Sequence, residues 1–164
     1  MGFFVPFISV FYLVGFGILG YGLWGAQKST RAAAWPTTPA DITSLDVKEN
    51  TGDESATYEV KVRYSYTVDG TTYDGSRLAF GYTGSSGAEA HNEIYERLKQ
   101  ADAVAVRYNP ADPSVSCLSY GFHRSIQLTL AFAVTWLAFV IGFSLMWWLF
   151  SRPDTVLLNN LSVQ

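Results

Sequence analysis

The sequence predicts a membrane α+β protein, in which two transmembrane helices flank a small β-rich domain with one short helix. Three observations carry this reading. Apolar blocks stand at both ends, with no Asp, Glu, Lys or Arg from Met1 to Gln27 or from Ser125 to Ser151. Nearly all the ionisable residues lie between the blocks. Within that middle segment, apolar and polar residues alternate strictly from Tyr58 to Val68. The chain therefore divides into a first transmembrane helix (1–27), an extramembrane domain (28–124), a second transmembrane helix (125–151) and a polar tail (152–164).

The apolar blocks come first in the argument because composition demands them. With 49% hydrophobic and only 15% charged residues, a chain of 164 residues has more apolar surface than one small core can hide. Each block exceeds the roughly 20 apolar residues that a helix needs to cross a hydrocarbon layer of about 30 Å. In the first, Pro6 falls in the opening turn, where a missing backbone N–H is harmless. A cleaved leader ending at Ala32-Ala33-Ala34 fits poorly: the block is too long, no basic residue precedes it, and Lys28 and Arg31 intervene. The second block ends in Trp147-Trp148 and is preceded by Tyr120 and Phe122, aromatic residues suited to a membrane interface.

Helices in lipid associate through close backbone approach, which small residues on one face allow. Gly15, Gly22 and Ala26 form such a face on the first helix, and Ala131, Thr135, Ala138 and Gly142 form one on the second. These seven residues are the expected helix-packing face, within the chain or against a second copy. Neither span holds an ionisable residue, which argues against a proton relay, ion path or voltage sensor.

In the middle segment, Ile42 to Val47 reads as a first strand and Asn50 to Thr57 as a polar loop. Tyr58 to Val68 has period two, so Tyr58, Val60, Val62, Tyr64, Tyr66 and Val68 share one buried face. Asp69-Gly70 then supplies a two-residue hairpin turn. Thr71 and Tyr73 return on the inner face, while Leu78 and Phe80 have the opposite parity, which places a bulge at Gly75. After a flexible stretch over 81–87, Ser86 and Glu89 have capping-box spacing and predict a short helix. Its inner stripe is Ala90, Ile94, Leu98 and Ala101. Residues 103–108 form another strand, Pro110 and Pro113 interrupt pairing, and a last short strand lies near 116–119.

Charge and composition exclude several functions. A net charge of −3 lacks the basic stripe that nucleic acid requires. A lone Cys117 excludes an intrachain disulfide and any multi-cysteine metal site. His91 and His123 have no Cys, Asp or Glu at ligand spacing on the same element, so no metal, cofactor or catalytic residue is assigned. Cys117 reads as a structural thiol. Gly81, Gly84 and Gly87 precede a helix but lack the Lys-Ser/Thr of a phosphate loop. Tyr64, Tyr66, Tyr73, Tyr82 and Tyr108 read as core. Any that face outward, with Tyr82 and Tyr108 as the candidates, would mark an interaction surface.

Three segments carry a family resemblance: Trp35-Pro36-Thr37-Thr38, the run from Val62 to Gly75, and the run from Val104 to Pro113. Together they resemble domain-of-unknown-function family 3592. The resemblance extends from Trp35 to about Leu118 and implies a membrane-tethered β domain, with no catalytic residues to carry over.

The functional expectation is a membrane-anchored interaction or accessory module, not an enzyme. Its expected partners are membrane lipid and another membrane protein or itself. The alternative is a small-ligand sensor or membrane enzyme using a pocket between the sheet and the 80–87 loop. Lys28, Arg31 and Arg124 on the domain side favour a cytoplasmic domain.

Overall fold

The computed structural model describes residues 4–51 and 56–160. Helix α1 (Phe4–Arg31) leads through a 3-10 turn at Ala32–Ala34 into strands β1 (Thr37–Thr51), β2 (Ala56–Val68) and β3 (Thr71–Gly75). Helix α2 (Ala88–Lys99) follows, then β4 (Val104–Asn109), β5 (Asp112–Cys117), the long helix α3 (Arg124–Phe150) and a short α4 (Thr155–Asn159). The fold is α+β, with two long apolar helices flanking a five-stranded antiparallel sheet in the order β3-β2-β1-β4-β5. Both long helices are long and apolar enough to cross a membrane. The expected first helix is extended by one turn through Lys28 and Arg31, whose charges complement the carbonyl end of α1. The tail past residue 152 is not merely polar: it folds into α4, whose Val156, Leu157 and Leu158 are exposed.

Helices α1 and α3 pack antiparallel along a seam with the spacing of a coiled coil. On α1 the buried residues are Gly15, Gly22, Gly25 and Ser29. A Cβ at Gly15 would lie 2.9 Å from Trp136 Cδ1, and one at Gly22 would lie 2.7 Å from Leu130 Cδ2. The bare backbone at Gly15 is what allows the Trp136 indole N–H to reach the Phe11 carbonyl at 3.0 Å. So Gly15 and Gly22 lie in the contact as expected, and Ala26 is half-buried beside it.

On α3 the expected face is not the one that meets α1. Its buried residues are Ile126, Ala133 and Val140, seven apart, and Leu130, Trp136 and Leu137 fill the hollows left by the α1 glycines. Ala131, Thr135, Ala138 and Gly142 face away from α1 and are exposed. A Cβ added at Gly142 meets nothing within 4 Å. The physical reason is complementarity: one helix already supplies glycines, so close contact requires large side chains on the other.

The sheet follows the alternation closely. Val60, Val62, Tyr64, Tyr66 and Val68 are buried, whereas Lys61, Arg63 and Thr67 are exposed. At the turn, Asp69 (φ 50°) and Gly70 (φ 79°) both adopt the left-handed conformation that such hairpins need. Strand β1 is far longer than expected, because it runs beside β2 from Ala40 to Thr51 with an irregularity between Ile42 and Ser44 that breaks its alternation. Asn50, Thr51, Ala56 and Thr57 belong to this ribbon, and only 52–55 of the expected loop lie outside the described residues.

Four other local expectations need correction. Gly75 is not a bulge: it is the last residue of β3, opposite Tyr64, whose ring occupies the space a side chain at 75 would take. Pro113 lies inside β5, which tolerates it as an edge strand with a register shift beside it. Ser86 caps nothing, since the helix begins one residue later from Gly87 with no side-chain cap. On α2, His91 is buried and joins Ile94 and Leu98 on the inner face, while Ala90 and Ala101 are exposed.

The sheet is seated on the helix pair by backbone. Gly81 (φ 72°) lies so close to α1 that a Cβ at Gly25 would come within 3.3 Å of the Gly81 Cα, and one at Gly81 within 3.0 Å of Ile126. Phe80 is buried beside Ala32 and Cys117, and its carbonyl accepts from His123 Nε2 at 2.8 Å. Gly121 N–H donates to the Ser29 carbonyl at 3.1 Å, completing the joint.

Candidate functional site

The segment from Ser76 to Gly87 is where sheet and helices meet, and its position follows from a shortage of strand. β3 pairs with β2 only over Tyr64–Val68, so the preceding half of β2 has an open edge. An unpaired edge exposes N–H and C=O groups that must find partners. The 82–85 stretch provides them. Tyr58 N–H donates to the Ser85 carbonyl at 2.8 Å, and Ser85 N–H returns to the Tyr58 carbonyl at 3.1 Å. Val60 N–H donates to the Tyr82 hydroxyl at 3.1 Å. Gly84 has no side chain because a Cβ there would lie 3.0 Å from the Tyr58 carbonyl oxygen.

His91 ties this loop to α2. Its Nδ1 lies 2.7 Å from Tyr82 Oη and its Nε2 lies 2.9 Å from Ser85 Oγ. Since Val60 already donates to the phenol oxygen, the arrangement that satisfies every donor has Tyr82 donating to Nδ1 and Nε2–H donating to Ser85. Burial lowers the His91 pKa, opposed by the charge of Glu59, and so favours the neutral ring. Burial also raises the Tyr82 pKa, which keeps its phenol protonated.

Two hollows flank the segment. One, of about 280 Å³, lies between α2, the loop and the first turns of α3, and Ser85, His91, His123 and Arg124 are on its wall. The other, of about 290 Å³, lies on the α1 side under β2, bounded by Tyr21, Trp24, Glu59, Lys61 and Arg77. Cations lie over aromatic rings around this joint: Arg77 is 4.5 Å from the Phe80 ring centre, Arg107 is 4.3 Å from Tyr120 and Lys28 is 5.2 Å from Trp24.

The singled-out residues distribute unevenly. Tyr82 and Tyr108, the candidate interaction surface, do not face outward: both are half-buried and packed against the sheet core. Tyr64 and Tyr66 are buried, with Tyr64 Oη 3.1 Å from both the Arg77 carbonyl and Ser116 Oγ. Cys117 is buried, and burial pushes its thiol up to about 11 although Arg77 and Arg107 pull the other way. His123 precedes α3 and holds Phe80. The Tyr82–His91–Ser85 hydrogen-bond chain was not legible in the sequence, because it exists only once β3 has stopped short of the open edge of β2.

Fold and junction together define a two-helix protein that carries a small antiparallel α+β unit seated directly on its helix pair. A family described as a domain of unknown function (DUF3592) matches residues 38–123, just over half of the chain, and the chain belongs to that family. The match begins in β1 and ends at the residue before α3. No curated protein and no solved structure matches the chain.

Proposed function

We propose that this chain is an integral membrane protein that crosses the bilayer twice and holds its sheet at the headgroup surface as a tethered interaction or accessory module. The observation that carries the reading is the outer face of the helix pair. Leu13, Phe139 and Leu145 are 71%, 67% and 56% exposed, and no other part of the described chain covers them. Water does not tolerate a continuous face of this kind, whereas lipid or a partner helix does. The depth is marked by Trp24, Lys28, Arg31, Tyr120 and Arg124 at one end and by Trp147, Trp148 and Arg152 at the other.

The basic residues on the domain side favour a cytoplasmic sheet. Replacing exposed Gln100 with cysteine tests this, and buried Cys117 leaves little background. Protection from an impermeant thiol reagent in intact cells is expected, and labelling there overturns the assignment. Integration is tested by alkaline carbonate extraction, which is expected to leave the chain in the membrane pellet. The accessory role is tested by purification in mild detergent with mass spectrometry of stoichiometric companions. A reproducible membrane-protein partner is expected, and recovery of the chain alone would overturn this role.

A second reading, a small-ligand sensor or enzyme, is favoured by the Ser85–His91 pair beside the hollow on the α3 side. Against catalysis stands the third member of the chain. A protonated phenol cannot stabilise an imidazolium as a carboxylate does, and the donor-satisfying tautomer points the Nε2 proton at Ser85 instead of away from it.

A further inference from the structure

The hollow on the α3 side differs from its neighbour in charge and in where it leads. Arg124 is the one formal charge on its wall and no carboxylate lines it, although the chain as a whole is acidic. The hollow on the α1 side, by contrast, contains Glu59 already paired with Lys61 at 2.7 Å. Among the described residues, Arg124 has no acidic side chain within salt-bridge reach. Ser119 and Ser125 line the same hollow and carry hydroxyls, which together with a guanidinium are donors suited to phosphate oxygens. Most of the remaining surface of the wall is apolar: Leu78 comes from the 76–87 segment and Ile94 from α2, with Tyr82, Ser85, His91, His123 and Thr129 as polar members, and Leu128 continues down α3 with half its surface exposed.

A volume of about 280 Å³ whose wall is mostly apolar and carries a cation at the first turn of α3 suits an amphiphile better than a polar metabolite. We infer that this hollow is a binding site for one anionic phospholipid, with its phosphate on Arg124, Ser119 and Ser125 and the start of an acyl chain along Leu128. The inference rests on the reading that α3 spans the bilayer, which puts Arg124 at headgroup depth and Leu128 below it. The site would select anionic over zwitterionic headgroups, because the wall offers a cation and no counter-charge for a choline or ethanolamine.

The full chain in a neutral maltoside detergent tests this directly. It is titrated with dihexanoyl-phosphatidylglycerol, dihexanoyl-phosphatidylcholine and inorganic phosphate, with binding read by calorimetry. The anionic lipid is expected to bind about tenfold more tightly than the zwitterionic one, the scale of one charge-assisted hydrogen-bond set. Arg124→Gln, at an exposed position, is expected to abolish that preference. Ala90→Trp, also exposed, fills the hollow from α2 and is expected to weaken both lipids. Equal affinity for the two lipids, or a preference that survives Arg124→Gln, overturns the site. Phosphate binding as tightly as the anionic lipid would keep the anion chemistry but overturn the lipid assignment. Failure of the spanning reading shows separately, as release of the chain by alkaline carbonate while the micellar titration still reports on the hollow.

Discussion

Tyr82→Phe removes one oxygen atom and, with it, the one side-chain partner among the described residues that holds the open edge of β2. In the intact protein that oxygen accepts from Val60 N–H at 3.1 Å and sits 2.7 Å from His91 Nδ1. Val60 is 3% exposed, so its amide cannot turn to bulk water without local opening. Leaving a buried donor unpaired costs about 1–3 kcal/mol. A value of about 2 kcal/mol makes opening of this edge roughly thirtyfold more frequent, at 1.4 kcal/mol per factor of ten. Hydrogen exchange of the full chain in detergent, resolved to single amides, reads this directly. Val60 and its neighbour Tyr58 are expected to exchange about that much faster, while Tyr66, which pairs with Tyr73 in β3, keeps its protection. Unchanged protection at Val60 would refute the account of the 82–85 stretch as an edge cover.

Four further outcomes follow from the same geometry. Because burial lowers the His91 pKa in the folded state, the unfolded chain binds more protons just below the ordinary histidine value of 6.5. Stability is therefore expected to fall as pH drops from about 6.5 toward the folded pKa, and a denaturation series that stays flat over that window for the wild type would count against it. Ser29→Ala removes a fully buried hydroxyl that has no hydrogen-bond partner among the described residues, and is expected to be neutral or to stabilise by about 1 kcal/mol in thermal unfolding. Gly15→Leu drives a side chain into Trp136 and Leu137 and is expected to destabilise the helix pair by about 1–3 kcal/mol, whereas Gly142→Leu on the outer face leaves its melting temperature unchanged. Val62→Asp buries an unpaired charge at a position 2% exposed and is expected to abolish folding of the sheet, while Lys61→Asp loses a surface ion pair and under about 1 kcal/mol, both read by recovery of folded protein.

What the sequence disclosed was local. The period-two run of β2 and the Asp69-Gly70 turn are decided by neighbouring residues, and both were legible without knowledge of any distant partner. The length of β1 was hidden because the irregularity at Thr43 breaks its alternation and because its outer half meets no third strand beyond Ala40. The α3 side of the contact with α1 was hidden for a different reason. A small residue does not say whether its partner will be small or large, and here α1 brings the glycines while Leu130, Trp136 and Leu137 bring the bulk. A signal was present in the seven-residue spacing of Ile126, Ala133 and Val140. Of the candidate site, His91 was visible as a residue but not as a buried one, since only the end of β3 at Gly75 creates the edge that its partners Tyr82 and Ser85 cover. Tyr82 and Tyr108 pack against the core as the tyrosines were expected to, and the outward-facing alternative stayed open only because tyrosine counts do not say which rings the sheet will fold over.

The joint between Gly25 and Gly81 has a mechanical consequence. Side chains at an interface act as cushions, since rotamers can shift to absorb a small displacement. Here two main chains lie against each other, and Ile126 closes the third side. Such a bearing leaves little room for side-chain adjustment, so a change in the inclination of the helix pair is expected to reach the sheet. On the proposal that this pair spans a bilayer, a change in bilayer thickness alters its inclination. The far end of the β1–β2 ribbon, many residues from the pivot, would then sweep the largest arc, like the tip of a pointer geared to the thickness of the membrane beneath it.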